Sequence, residues 1–146
     1  MIVIQRERWK DCINQVMHLC NEAFELGEKQ IVGLDLELDF DLYQQMDEAD
    51  ILHCLIMRKN GQPIGMHWVY VSATPRHKDK VMAQTDVIYV MPEHRRNSND
   101  LISFSNDYIG KVADLWLISN RGYRDCSKLW HRKGFEEIET VMIKRI

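Results

Sequence analysis

The chain has 146 residues, 45% of them hydrophobic and 28% charged, and a net charge of −3. That length suits a single domain, residues 1–146, able to bury roughly two-thirds of its unfolded surface. The acidic total argues against a general nucleic-acid binder, and no apolar run approaches the ~18 residues of a membrane span.

The opening "MIVIQRERWK" reaches charge at Arg6, so no signal peptide is expected and a cytoplasmic setting is. Charge is uneven: residues 1–55 carry four Lys/Arg against twelve Asp/Glu, and residues 56–146 fifteen against ten. The basic half is compatible with an anionic ligand, or with a solvated surface of uneven charge. Cys12, Cys20, Cys54 and Cys126 lack CxxC spacing and histidine partners at zinc-like intervals. They read as small buried hydrophobes, with no disulfide and no metal expected.

In chain order, Ile2–Ile4 predicts a short strand. From Arg6 to Leu26, apolar residues recur every three or four positions and Gly27 follows, which predicts an amphipathic helix. In "LDLELDFD", Asp35, Glu37, Asp39 and Asp41 alternate with apolar side chains. The glycine and terminal glutamate of a calcium loop are missing at the required offsets. The stretch predicts an acidic extended segment in which Asp39 or Asp41 caps a short helix through Met46. Ile51–Arg58 and Ile64–Ala73 predict two strands joined at Asn60-Gly61, a strong hairpin signal. Val81–Met91 predicts a third, stopped by Pro92. Asp100–Ala113 predicts a helix, Leu115–Ile118 a buried strand, Cys126–Trp130 a short helix closed near Gly134, and Phe135–Ile146 a terminal strand that could pair across a homodimer. The class is α/β with a mixed sheet.

The stretch "VIYVMPEHRR" runs from a strand through a proline into two arginines and then a helix. Val90, Pro92 and Arg95 fit a V-x-P-x-x-R pattern. Leu129, Arg132, Gly134 and Phe135 fit a later "LYxKxGF"-like segment, with Trp130 where tyrosine is usual. Together with the hairpin and strand order, these residues resemble the GNAT N-acetyltransferase superfamily over most of the chain. His77, Asp86, Tyr89, Pro92 and Arg95 follow a pattern similar to short GNAT-like proteins of tailed phages. The resemblance implies a mostly antiparallel twisted sheet with a splayed parallel strand pair, flanked by about four helices.

It also implies a mechanism. Backbone groups near Ile88 and Val90 would pair with the pantetheine arm of acetyl-CoA, or another acyl-CoA, like an added strand. The loop and helix start at Arg95, Arg96, Asn97, Ser98, Asn99 and Asp100 would meet the pyrophosphate. In the family that loop carries two glycines; here Ser98 and Asp100 stand in their places, and Asp100 would repel phosphate if it pointed inward. Asp86 shares strand parity with Gln84, Ile88 and Val90 and is the expected base, unless a bulge breaks that parity. Tyr123 or Cys126 would replace the missing tyrosine as thiolate donor. His77, Asp39 and Asp41 would face the acceptor, a small-molecule amine or a protein amine. The alternative is a GNAT-fold binding module without turnover.

Overall fold

Alternation along the strands sorts the side chains onto two faces of a sheet, and helices cover both. A computed structural model describes residues 1–120 and 124–146. Its elements are β1 (Ile2–Glu7), α1 (Trp9–Gly27), α2 (Lys29–Val32), α3 (Phe40–Glu48), β2 (Leu52–Lys59), β3 (Gln62–Ala73), β4 (Val81–Val90), a 3-10 turn (Pro92–Asn97), α4 (Ser98–Val112), β5 (Leu115–Leu117) and α5 (Ser127–Arg132). The strands lie in sequence order, antiparallel from β1 to β4 and parallel between β4 and β5. The mixed, mostly antiparallel sheet is as the sequence predicts.

Five described α-helices flank the sheet, in keeping with the expected number; the short α2 ends at Gly33, whose φ of 69° is the left-handed conformation glycine adopts without strain. One expectation is corrected. The predicted strand at Phe135–Ile146 does not form: these residues join no ladder, and all after Phe135 are exposed. A strand needs a partner, and none of the described residues supplies one for this segment.

One face of the sheet packs against α1. Trp9, Cys12, Val16, Leu19 and Cys20 of that helix meet Leu52, Cys54 and Ile56 of β2 and Met66 and Trp68 of β3. The Trp9 ring stacks on Tyr43 at 4.6 Å and meets Trp68 edge-on at 5.2 Å, which ties α3 into the same core. The opposite face receives α4, where Leu101 joins Met57, Ile64 and Val90, and Ile109 joins Val69 and Ala83. Burying such side chains contributes roughly 1.5–3 kcal/mol each. At Gly65 the strands approach so closely that a Cβ would lie 2.9 Å from Met57 Cε and 3.2 Å from the Tyr89 carbonyl oxygen.

A buried polar chain joins β3, β4, β5 and α4. His67, fully buried, places Nδ1 2.8 Å from Ser105 Oγ and Nε2 2.8 Å from Thr85 Oγ1. Trp116 Nε1 donates to the same Thr85 oxygen at 2.9 Å. Thr85 is the first β4 residue after the ladder to β5 ends at Gln84 and Leu117. The hydroxyl therefore fixes β5 to β4 at the point where they part. A second buried histidine, His53, sets Nε2 2.8 Å from the Asp50 carbonyl and Nδ1 2.6 Å from Tyr108 Oη. A carbonyl can only accept, so the neutral ring carries its proton on Nε2 and accepts from the tyrosine.

Thr85→Val would leave His67 Nε2 and Trp116 Nε1 without their partner and is expected to lower stability by about 1–3 kcal/mol in urea unfolding. Burial depresses the His67 pKa from 6.5 to about 3 and lowers that of His53 as well. Between those values the unfolded chain binds the proton and the folded chain does not. Stability is therefore full above pH 6.5 and is lost as pH falls toward 3. His67→Gln is expected to flatten this part of the stability–pH curve relative to the parent.

Candidate functional site

The register between β3 and β4 slips by one residue beside the parting strands. Trp68 faces Val87 and Val69 faces Thr85, so Asp86 is the extra residue of a β-bulge. The slip overturns the parity expected for Asp86. Ala83 packs on the α4 side, whereas Val87 packs on the α1 side. Ile88 and Val90 pack on the α4 side. Asp86 instead approaches the α1 and α3 side, where Tyr43 Oη donates to its Oδ2 at 3.3 Å.

From Thr85 to Val90, β4 pairs with β3 but not with β5. The gap opens into a cavity of about 300 Å³. One half of its wall holds Ile88, Val90, Arg95, Ser98, Cys126 and Trp130, at the carboxyl end of β4, the start of α4, and α5. The other half holds Cys20, Phe24, Leu36, Leu38, Tyr43 and Trp68. Asp86 lies on the wall beside Tyr43.

The glycine-free loop is wound rather than open. Pro92 starts a 3-10 turn and the chain enters α4 at Ser98 with φ −58°. No residue in this loop has positive φ, so the missing glycines are not required for its backbone. Arg95 Nε donates to the Val90 carbonyl at 3.3 Å and its guanidinium lies 5.9 Å from the Tyr89 ring centroid. These contacts hold a cation at the cavity wall. Asp100 is exposed, accepts from Asn97 at 3.3 Å, and does not line the cavity. Asn99 accepts from Lys133.

The remaining sequence-derived candidates divide clearly. Ile88, Val90, Arg95, Ser98, Asp86 and Cys126 line the cavity. Arg96, Asn97, Asn99 and Asp100 neighbour it without lining it. His77 sits in the exposed turn between β3 and β4 and is not part of this wall. Asp39 is occupied as the N-cap of α3, accepting from the Leu42 amide at 3.0 Å, and Asp41 lies in the first turn of that helix, exposed. The alternation through 35–39 turns Leu36 and Leu38 inward and the carboxylates outward. Tyr123 lies outside the described residues.

Sequence reasoning missed the tyrosines around Asp86. Burial and then the Asp86 charge push the Tyr43 hydroxyl up to about 12, and the same two causes raise Tyr70 further. Both therefore remain protonated donors at neutral pH. Tyr89 Oη donates to Glu22 at 2.9 Å and is likewise raised to about 12, chiefly by burial. Cys20, on the wall, is pushed up to about 12 by burial and by Asp86, so it stays a thiol and cannot serve as a nucleophile at neutral pH. The available signal was the helical spacing of Trp9 and Cys20 with the acidic–apolar alternation before α3; it marks core positions but not which of them border a cavity. Among the described residues, no group of three or more His, Cys, Asp or Glu is arranged to hold a metal ion, and no helix is long and apolar enough to cross a membrane.

No family model matches the sequence, and no curated protein matches it. Solved structures do match. An aminoglycoside acetyltransferase from an uncultured soil metagenomic sample superposes with a TM-score of 0.76 at 14% identity, covering 100% of this chain and 99% of that one. A transcriptional regulator from Bacillus halodurans C-125 gives 0.77 at 11% identity with 100% of both chains covered. A predicted acetyltransferase from Clostridium acetobutylicum, solved with acetyl-CoA, gives 0.70 at 13% identity, covering 99% of this chain and 96% of that one. With its splayed β4–β5 pair and the helix that follows β4, the chain has the fold of the GNAT acetyltransferases.

Proposed function

We propose that this protein is an acyl-CoA-dependent N-acetyltransferase acting on an amine. The observation that carries the reading is one continuous cavity that joins a gap in the β4–β5 ladder, a cation beside a helix N-terminus and a carboxylate at a bulge. The fold likeness to acetyltransferases, one of them solved with acetyl-CoA, supports it.

The residues fit the cofactor. Backbone groups of residues 85–90 have no β5 partner and are suited to an extended amide-bearing arm. Arg95 and the Ser98 end of α4 offer charge and amide donors to a pyrophosphate, and the Asp100 carboxylate, engaged by Asn97, is not on the cavity wall. Bound acetyl-CoA would supply an activated thioester: the amine nitrogen forms a C–N bond to the acetyl carbon as the C–S bond breaks. Asp86 accepts the proton the attacking amine loses, and Tyr43, donating to Asp86, holds the carboxylate in place. Cys126, on the same half of the wall, would return a proton to the departing sulfur; Tyr123 is the other candidate donor. The apolar and aromatic half receives the acceptor and excludes water from the reacting centre.

A second reading, a GNAT-fold binding module without turnover, is favoured by Trp130, buried where the family usually has tyrosine. An indole N–H is too weak an acid to protonate a thiolate.

Thermal unfolding with millimolar acetyl-CoA separates the two, because a ligand that binds only the native state raises its stability. A rise in Tm is expected for the enzyme; no shift would count against it. Arg95→Ala is expected to weaken acetyl-CoA about tenfold, the scale of one charge-assisted contact, while leaving acetyl-pantetheine, which lacks the pyrophosphate, unaffected. Asp86→Asn is expected to lower turnover by at least about 100-fold across an amine panel, read as CoA thiol release, with acetyl-CoA affinity kept. Undiminished turnover in that variant would remove Asp86 from the chemistry.

A further inference from the structure

The two sides of the cavity differ in chemistry. Among its charged lining residues, Arg95 follows β4 and Arg124 precedes α5, whereas Glu28 follows α1 and Asp86 stands beside Tyr43. The side built by α1, β3 and the stretch leading into α3 is otherwise hydrocarbon, thioether and aromatic ring, at Phe24, Leu36, Leu38, Tyr43, Met66 and Trp68. Leu36, Leu38 and Tyr43 pack on the core that contains Trp68. Tyr43 is fixed between two indoles, stacked on Trp9 at 4.6 Å and edge-on to Trp68 at 5.4 Å. The rings are set before a ligand arrives, which lowers the ordering cost of binding.

Desolvation decides which amine suits such a surface. One ammonium at Asp86 exchanges water for a carboxylate among aromatic rings, surroundings that favour a cation. Each further ammonium would lose its hydration against Phe24, Leu36 and Leu38. The exposed Glu28 is the other carboxylate on the described wall; Asp35, Glu37, Asp39 and Asp41 are not part of it. A carboxylate next to the amine, as in an amino acid, would meet hydrocarbon and the Asp86 charge. The cavity volume of about 300 Å³ is at the low end for small-molecule sites and is shared with the cofactor arm, which leaves room for a body of about one ring.

We infer that the acceptor is a compact monoamine with an apolar, ring-sized body and no carboxylate, its nitrogen at Asp86 and its body against Phe24, Leu36, Leu38 and Trp68. The inference rests on the acetyltransferase reading for its chemistry and on the cavity wall for the class of ligand. One proton leaves the ammonium for solvent to give the free amine. The nitrogen then bonds to the acetyl carbon as the C–S bond breaks, its second proton passes to Asp86, and the departing sulfur takes up one, giving an N-acetyl amide and CoA.

The test pairs turnover with binding. CoA thiol release is measured with acetyl-CoA and phenethylamine, ethylamine, L-phenylalanine or spermidine. The kcat/KM for phenethylamine is expected to exceed each of the others by more than about tenfold, the scale of burying one apolar group. Leu36→Ala/Leu38→Ala is expected to cut the phenethylamine-to-ethylamine ratio by about tenfold within the same protein, since ethylamine presents the nitrogen without the ring. A preference for spermidine or phenylalanine, or a ratio that does not move, would overturn the acceptor class and leave the acetyltransferase reading intact. Titration calorimetry of phenethylamine into the protein, alone and with CoA, separates the two when no amine is acetylated. Binding that the double variant weakens about tenfold would then uphold the ligand class and remove the enzyme. No binding, or binding indifferent to that variant, would overturn the class.

Discussion

The parting of β4 from β5 after Gln84 and Leu117 is the constraint on which the rest of the molecule depends. Two parallel strands that could have zipped together are held in contact for three residue pairs and then kept apart. The Thr85 hydroxyl, shared by His67 and Trp116, pins the last point of contact. Immediately beyond it the extra residue at Asp86 re-aims β4. A clamp followed at once by a bulge turns an ordinary sheet edge into a gap of fixed position. Thr85 and Asp86 are half-buried, but the clamp closes on fully buried His67, which ties the gap to the core.

Around that gap the two halves of the cavity are built by different physics. The half beside β4 and α4 uses backbone and electrostatics: open strand groups, the positive end of α4, and Arg95 held by the Val90 carbonyl and the Tyr89 ring. Holding the guanidinium in advance reduces the side-chain entropy that binding an anion would otherwise lose. The loop reaches this arrangement without glycine because it is wound into helix from Pro92 onward, so no residue is asked for a left-handed conformation. The other half is an apolar and aromatic surface that also carries Asp86 and Glu28. Buried Tyr43 and Tyr70 keep their protons and surround Asp86 with donors.

Much of this was legible in the sequence, and what was not has physical causes. Helix α1 was clear because its apolar residues keep helical spacing, and the hairpin because Asn60 and Gly61 both take positive φ. The parity of Asp86 was misread because a bulge depends on how β3 meets β4, a non-local match that residue spacing along β4 does not carry. The bond that engages Asp100 with Asn97 is one a motif alignment cannot see. The carboxylates at 35–41 suggested a charged acceptor surface, yet the same alternation that made them conspicuous turns them to solvent. The terminal segment has a strand's composition but no partner among the described residues, and composition alone cannot supply one.

The wall formed by Leu36 and Leu38 belongs to neither helix nor strand; it lies in the stretch between α2 and α3. Its backbone takes no part in the sheet, and its side chains border the cavity while packing on the edge of the α1 core. Replacements there would reshape one side of the cavity from a stretch free of ladder hydrogen bonds, leaving the clamp and the bulge as they are. A wall carried on such a stretch can change its contour without the sheet changing its register.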